Sequence, residues 1–168
     1  SSGELSRKRT CKKFTPPVFD ESTDNYFINR DMAEITDIGN QIKNAKTPAE
    51  VKKFTVLRSQ KSKAVQKKLF EHYAFLNIHG KVQNVLQIFE NSAHGKPPAS
   101  TGECAAPKLL QYALKNNLKP IALAEFWWGN TLKGTERKHK VFYPSCKNKC
   151  RPILEYMLDD DGLYDLVK

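Results

Sequence analysis

The stretches TGECAAPKLLQYALKNNLKPIALAEFWWG (101–129) and PSCKNKCRPILEYML (144–158) decide how this chain is read. In each, cysteine stands just ahead of a proline: Cys104 before Pro107, and Cys146 and Cys150 before Pro152. Proline is tolerated in the first turn of a helix, where its missing N–H is not needed. The thiols therefore fall at two helix starts, with one helix expected over about 103–116 and the other over about 149–158. Between them, PIALAEFWW (120–128) is read as a strand and 129–145 as a basic loop. Free N–H groups and the macrodipole at a helix start favour thiolate, as neighbouring Lys and Arg do. Thiolate is the form that binds zinc. A right-handed helix–strand–helix connection would bring the two helix starts to one edge of a sheet.

Cys104, Cys146 and Cys150 are thus the candidate ligands of a zinc ion. Three protein ligands with an open position suit a catalytic zinc, and a fourth makes the site structural. His79, His94 and His139 are possible fourth ligands, with His94, in the loop before Cys104, the preferred one. The plainer alternative is a small buried Cys104 and a cysteine pair without metal. Cys11, alone in a basic arm, reads as an incidental thiol.

Working outward, TPAE (47–50) is a helix-start signal: Thr47 as N-cap, Pro48 at the first helical position, Glu50 at the capping-box position. The helix it opens runs to about Tyr73 and carries Val51, Phe54, Leu57, Val65 and Leu69 among many Lys and Arg. Before it, Met32, Ile35, Ile38 and Ile42 recur at spacings of three and four, which predicts an amphipathic helix over 31–45. The two make a helical hairpin with a basic outer face. Residues 1–30 read as an extended arm, because Pro16 and Pro17 block a helix. YAFLNIHG (73–80) begins a strand or loop, VQNVLQIFE (82–90) is read as a short helix, and HGKPPASTG (94–102) as a loop. Leu109, Leu110, Ala113, Ile121, Leu123, Ile153 and Leu154 are expected in the core. The organisation expected is an arm (1–30), a basic helical hairpin (31–72), an α/β (α+β) core (73–160) and a boundary segment (161–168).

The 168 residues carry a net charge of +10 and a pI near 9.4. Basic residues bunch at 7–13, 52–68 and 136–151. Such clusters attract a polyanion through counterion release, in a salt-sensitive and largely sequence-independent way. The bland reading is a solvated face that aids solubility. The third cluster lies beside the cysteines, and this favours nucleic acid. Lys133, Arg137, Lys138, Lys140, Lys147, Lys149 and Arg151 are the candidate RNA contacts, with Trp128 and Tyr143 as candidates to stack on unpaired bases. Adjacent tryptophans in a strand face opposite ways, so only one of Trp127 and Trp128 is available for stacking. No apolar run approaches a membrane span and no secretory leader is visible. Four cysteines in a chain of this size do not make a disulfide scaffold. A cytoplasmic location with reduced thiols is expected. The first residue is not Met, which fits a piece cut from a longer chain.

The arrangement of Cys104, Cys146 and Cys150 resembles the zinc nucleoside and nucleic-acid deaminase fold. In that family one ligand opens the first core helix, a cysteine pair opens the next, and a strand runs between them. A glutamate two residues after the first ligand shuttles the proton to and from the base attacked by zinc-bound water. Here that position holds Ala106, and the pair has three intervening residues rather than two. Glu103, before the ligand, and Glu125, in the middle strand, are the carboxylates able to substitute. Without a matched proton shuttle, no deamination by this chain alone is expected.

PPVFD (16–20), QKKLFEHYAFLNIHG (66–80), PPASTGECAAPKLLQYAL (97–114), LKPIALAEFWWG (118–129) and KVFYPSCKNKCRPILEYML (140–158) are similar, in that order, to the N-terminal half of long RNA pseudouridine synthases of the RluA class. The resemblance covers about residues 14–158. It implies an RNA-directed accessory region that precedes a catalytic synthase domain in the same longer chain, acting on ribosomal or transfer RNA. The family's uridine-attacking aspartate sits in an HRLD-type motif in the following domain, and no RLD occurs in these 168 residues. Alone, the chain is not expected to make pseudouridine.

Overall fold

Thr47 and Glu50 close a helix start by mutual bonds. The Glu50 N–H donates to Thr47 Oγ1 at 3.2 Å, while Glu50 Oε2 accepts from the N–H groups of Thr47 at 3.2 Å and Lys46 at 3.0 Å. This capping box satisfies donors that the first turn leaves orphaned. The structure, a computed structural model, describes residues 26–90, 92–93, 95–130 and 137–158 together with Thr15 and Val18. Most of the expected arm, the 161–168 segment, Cys11, His94 and Lys133 lie outside the described residues. Among those described, the fold is mixed α/β, with five helices and two small antiparallel sheets.

Helix α1 (Tyr26–Asn44) and helix α2 (Pro48–His72) form one compact unit within Phe19–His72. Helix α1 starts five residues earlier than the periodicity predicts. Its inward face also differs: Asp31, Ile35 and Ile38 are buried, whereas Met32 is exposed. Residues 31, 35 and 38 follow the i, i+4, i+7 spacing of one helix face, and Met32 is rotated about 100° from Asp31. Asp31 is held there by Lys68, whose Nζ donates to Oδ2 at 2.7 Å. Lys61 and Glu34 pair at 2.5 Å between the same helices. Val65 and Phe70 are buried, while Val51 and Leu57, expected on the apolar face, are exposed.

The second unit begins at Tyr73. Strands β1 (Ala74–Leu76) and β2 (Val82–Asn84) pair antiparallel, Phe75 opposite Gln83. Asn77 builds the turn between them: its Oδ1 accepts from the His79 N–H at 3.0 Å and the Lys81 N–H at 2.8 Å. Gly80 supplies the positive φ of 77° that the turn requires. Helix α3 (Val85–Glu90) is shorter than its periodicity predicts, because Val82–Asn84 pairs as β2 instead. Asn84 and Gln87 cap it reciprocally through side-chain oxygens, at 2.9 and 3.0 Å.

Helix α4 (Ala105–Lys115) lies along β1. Gln111 is buried, with its Oε1 accepting from the Leu76 N–H at 2.9 Å and its Nε2 donating to the Ala74 carbonyl at 3.2 Å. The amide stands in for a neighbouring strand and satisfies backbone groups that would otherwise be orphaned. This turns Leu109 outward, against expectation, and Leu110 inward. Strands β3 (Glu125–Phe126) and β4 (Phe142–Tyr143) form a separate antiparallel ribbon, Glu125 opposite Tyr143 and Phe126 opposite Phe142. The expected strand over 120–128 therefore shrinks to two residues, and Ile121 is 82% exposed. A run of strand-forming residues pairs only where a partner backbone reaches it. Helix α5 (Cys150–Leu158) completes the unit.

Phe75, Val85, Ile88, Phe89, Leu110, Ile153, Leu154, Met157 and Leu158 make its core. Burying each large apolar side chain contributes about 1.5–3 kcal/mol. The Ile78 N–H donates to the Met157 carbonyl at 3.0 Å and joins the β1–β2 turn to the last turn of α5. No helix among the described residues is long and apolar enough to cross a membrane.

Candidate metal centre

Cys104 is the N-cap of α4, in extended conformation, and its side chain makes no capping bond. Glu125 does the capping: its Oε1 accepts from the Ala106 N–H at 3.0 Å. A carboxylate from β3 thereby replaces the usual N-cap oxygen and complements the helix dipole. The Cys104 sulfur is left for other partners. Cys146 and Cys150 are joined by a turn in which the N–H groups of Cys150 and Arg151 both donate to the Cys146 carbonyl, at 3.2 and 3.1 Å. Cys150 is the first residue of α5 and is buried; its N–H also points at Cys146 Sγ, 3.4 Å away.

The Sγ atoms of Cys104, Cys146 and Cys150 all lie within 4.8 Å of one another, and those of Cys146 and Cys150 are 3.2 Å apart. Thiolates bound tetrahedrally at a metal–sulfur distance of about 2.3 Å stand about 3.8 Å from each other. The trio is thus already at ligand spacing, and it can hold a metal ion. Sequence spacing alone leaves Cys104 forty residues from the pair; the fold brings them together.

The two ends of the cluster titrate in opposite directions. A hydrogen bond from Cys150, helped by Cys146 and the Lys149 charge, pulls the Cys104 thiol from 9.0 to about 6, against burial and the nearby Glu125 carboxylate. Cys150 is pushed upward, first because its hydrogen is donated to Cys104 and then by burial. One shared proton therefore stays on Cys150 while Cys104 ionises. A thiol more acidic in the folded state stabilises that state fully above about pH 9 and loses the contribution as pH falls towards 6. The raised Cys150 acts oppositely, above pH 9. In metal-free protein, iodoacetamide is expected to alkylate Cys104 before Cys150. The Cys104 rate should have its midpoint near pH 6, and peptide mass mapping across pH checks this. A midpoint near 9 would contradict the hydrogen-bonded arrangement.

Glu103 is engaged by Tyr73 and Lys108. It receives a hydrogen bond from the Tyr73 hydroxyl and another from Lys108 Nζ at 2.8 Å. Burial raises its pKa, but the Lys108 and Tyr73 bonds outweigh that and hold it below the ordinary value. Lys108 is buried, an uncommon place for an ammonium, and Glu103 supplies the counter-charge. This network anchors the residues just ahead of Cys104. Gly102, at φ +89°, lets the same loop run within van der Waals contact of Tyr73 and Phe75.

A small cleft of about 80 Å³ opens beside the thiols, lined by Cys104, Cys146, Glu125, Phe126, Trp127, Arg137, Tyr143 and Pro144. Side chains alternate along β3. Glu125 and Trp127 share the cleft with Tyr143; Phe126 borders the cleft too, but is half exposed, and Trp128 and Phe142 are largely exposed. The Arg137 guanidinium lies 5.8 Å from the Trp127 ring centroid and 5.5 Å from that of Tyr143. The Lys138 N–H donates to the Tyr143 hydroxyl at 2.7 Å. Beyond the strands, the Trp127 N–H donates to the Val141 carbonyl and the Lys140 N–H to the Trp127 carbonyl, at 3.1 and 2.7 Å.

Of the residues named from sequence, Cys104, Cys146, Glu125, Arg137 and Tyr143 line this cleft, and Cys150 is buried beside the other two thiols. Lys138, Lys140 and Trp128 sit on the adjoining ribbon, with Lys140 Nζ 5.6 Å from the Trp128 ring. Lys147 is exposed in the turn between the cysteine pair; Lys149, in the same turn, acts on Cys104; Arg151 pairs with Glu155 at 2.9 Å. His79 and His139, named as possible fourth ligands, do not join the thiol group, and His139 lies instead against Trp128. Sequence reading missed Phe126, Phe142 and the Tyr73–Glu103–Lys108 network. EFWW and VFY flanking a turn-rich loop are the signal that marks a hairpin and its faces. Comparison with family models, with curated proteins and with solved structures found no match for this chain.

Proposed function

We propose that this chain is an RNA-binding accessory module, of the kind that precedes the catalytic domain in long RluA-class pseudouridine synthases, and that a zinc ion on Cys104, Cys146 and Cys150 holds its basic ribbon in place. The observation that carries this reading is the convergence of three thiols against a hairpin bearing Arg137, Lys138 and Lys140. An all-sulfur donor set at tetrahedral spacing suits zinc. Bound there, zinc would pin the starts of α4 and α5 and the foot of the ribbon. The basic residues divide by task. Lys149 acts on Cys104 and favours its ionised form. Lys138 and Lys140 are exposed on the ribbon, where phosphates can reach them.

Between the two thiol-bearing helix starts lies the antiparallel β3–β4 ribbon in place of the single strand expected. Only the thiols at both helix starts therefore support a deaminase-like ancestry for the core, without its chemistry. Ala106 stands at the shuttle position, Glu125 caps α4, and Glu103 is committed to Lys108 and Tyr73.

Binding should be electrostatic and steeply dependent on salt. Each phosphate contact contributes about 0.7–0.9 to the slope of log K against log salt. The Lys138→Ala, Lys140→Ala pair is expected to lower that slope by about 1.4–1.8. Fluorescence anisotropy with labelled RNA over a salt series measures it. Unchanged affinity and slope in the double variant would remove the ribbon from the contact surface.

A further inference from the structure

The outward face of the β3–β4 ribbon carries three aromatic rings, Phe126, Trp128 and Phe142, which are 50%, 69% and 67% exposed. Packing against the other described residues does not cover them. They are arranged edge to face: Phe126 and Trp128 with centroids 6.2 Å apart at 74°, Phe126 and Phe142 5.7 Å apart at 71°. Such contacts keep the rings fixed while leaving ring faces uncovered. A histidine and a lysine border the group. His139 lies against Trp128 with centroids 4.6 Å apart, and Lys140 Nζ is 5.6 Å from the same ring. A groove of about 400 Å³, lined in part by Phe142 and Glu125, adjoins it.

From this juxtaposition we infer that Phe126, Trp128 and Phe142, with Lys140 beside them, form a stacking platform for unpaired nucleobases of single-stranded RNA. The inference rests on the RNA-binding reading above and specifies which form of RNA is taken. Three considerations favour this occupant. Every base offers a π-face, so a rigid aromatic surface binds bases without sequence preference. The basic ribbon matches a phosphate backbone running alongside the rings. In a duplex the base faces are already stacked and cannot reach such a surface. A neutral apolar protein partner would instead leave Lys140 to be desolvated without counter-charge.

The test compares a short labelled single strand of mixed sequence with its duplex of equal length, on this chain loaded with zinc. Trp128→Ala and Phe142→Ala each should weaken single-strand binding on the order of 10-fold, and together on the order of 100-fold. Trp128→Phe should restore most of the loss. Duplex affinity and the salt slope should not move, because no phosphate contact is removed. Both rings are solvent-exposed, so the variants should keep wild-type circular dichroism and zinc content. Should the wild type bind RNA in a salt-dependent way while the double variant retains full single-strand affinity, the platform is overturned and the RNA reading stands. Equal losses on single strand and duplex overturn it in the same way. A wild type that binds neither form overturns both.

Discussion

Cys150→Ser is expected to abolish the proposed zinc binding and to lower the thermal transition of the unit that begins at Tyr73 by more than about 15 °C. The reasoning starts from scale. Structural zinc sites contribute apparent free energies of about 10–16 kcal/mol in zinc-finger peptides, whereas a whole domain is stable by only about 5–15 kcal/mol. Even part of the first range is comparable with the second. The unit has two-stranded sheets and one modest core, and the starts of α4 and α5, far apart in the chain, meet at the thiols. Cys150 is also fully buried, so serine would leave a hydroxyl in place of a sulfur there. Cys146→Ser separates the two effects, because Cys146 is only half-buried. It should lose metal as completely and disturb packing less. Elemental analysis of protein purified without added metal should give about one zinc per chain. Unchanged zinc after Cys146→Ser, or a metal-free wild type with an unaltered melting curve, would defeat the metal centre.

Gly102→Val is expected to cost about 2–6 kcal/mol, the sum of two separate penalties of about 1–3 kcal/mol each. The first is backbone strain. Gly102 has φ +89°, a region that a β-branched residue scarcely enters. The second is space. A Cβ there would meet Tyr73 Cδ1 at 3.1 Å and Phe75 Cζ at 3.3 Å, and Phe75 is a fully buried core ring that cannot yield. Relief would have to come from the loop, which carries Glu103 and Cys104. Zinc affinity should therefore fall together with the melting temperature. Gly80→Val, also at positive φ but with open space around its Cβ, isolates the strain component. Differential scanning calorimetry and a competitive zinc titration on both variants measure the split. A Gly102→Val protein no less stable than Gly80→Val would contradict the packing argument.

Helix starts were the most legible part of this chain. Thr47–Glu50 formed the capping box that TPAE announces, since its partners lie within one turn and need no other part of the fold. Cys104 and Cys150 fell at the starts of α4 and α5 because proline can stand only in a first turn. Faces were less legible. Leu109 and Ile121 look like core by composition but are exposed, while Lys108 and Gln111 are buried because Glu103 and the β1 backbone satisfy them. Hydrophobicity alone does not register a polar group whose partner comes from another element.

By itself, then, the sequence determined the starts of α2, α4 and α5, the net charge of +10 and the set of thiols at helix starts. Each of these follows from interactions within a few residues or from simple summation. Only tertiary structure decided that Cys104 would lie within 4.8 Å of Cys146 and Cys150, and that Glu125 would cap α4. It also decided that the run 120–128 would pair over just two residues and turn Phe126, Trp128 and Phe142 to solvent. Strand pairing and ligand convergence depend on contacts between residues far apart in the chain. Those contacts form only when the backbone groups of both partners, and the apolar surfaces behind them, are satisfied at once.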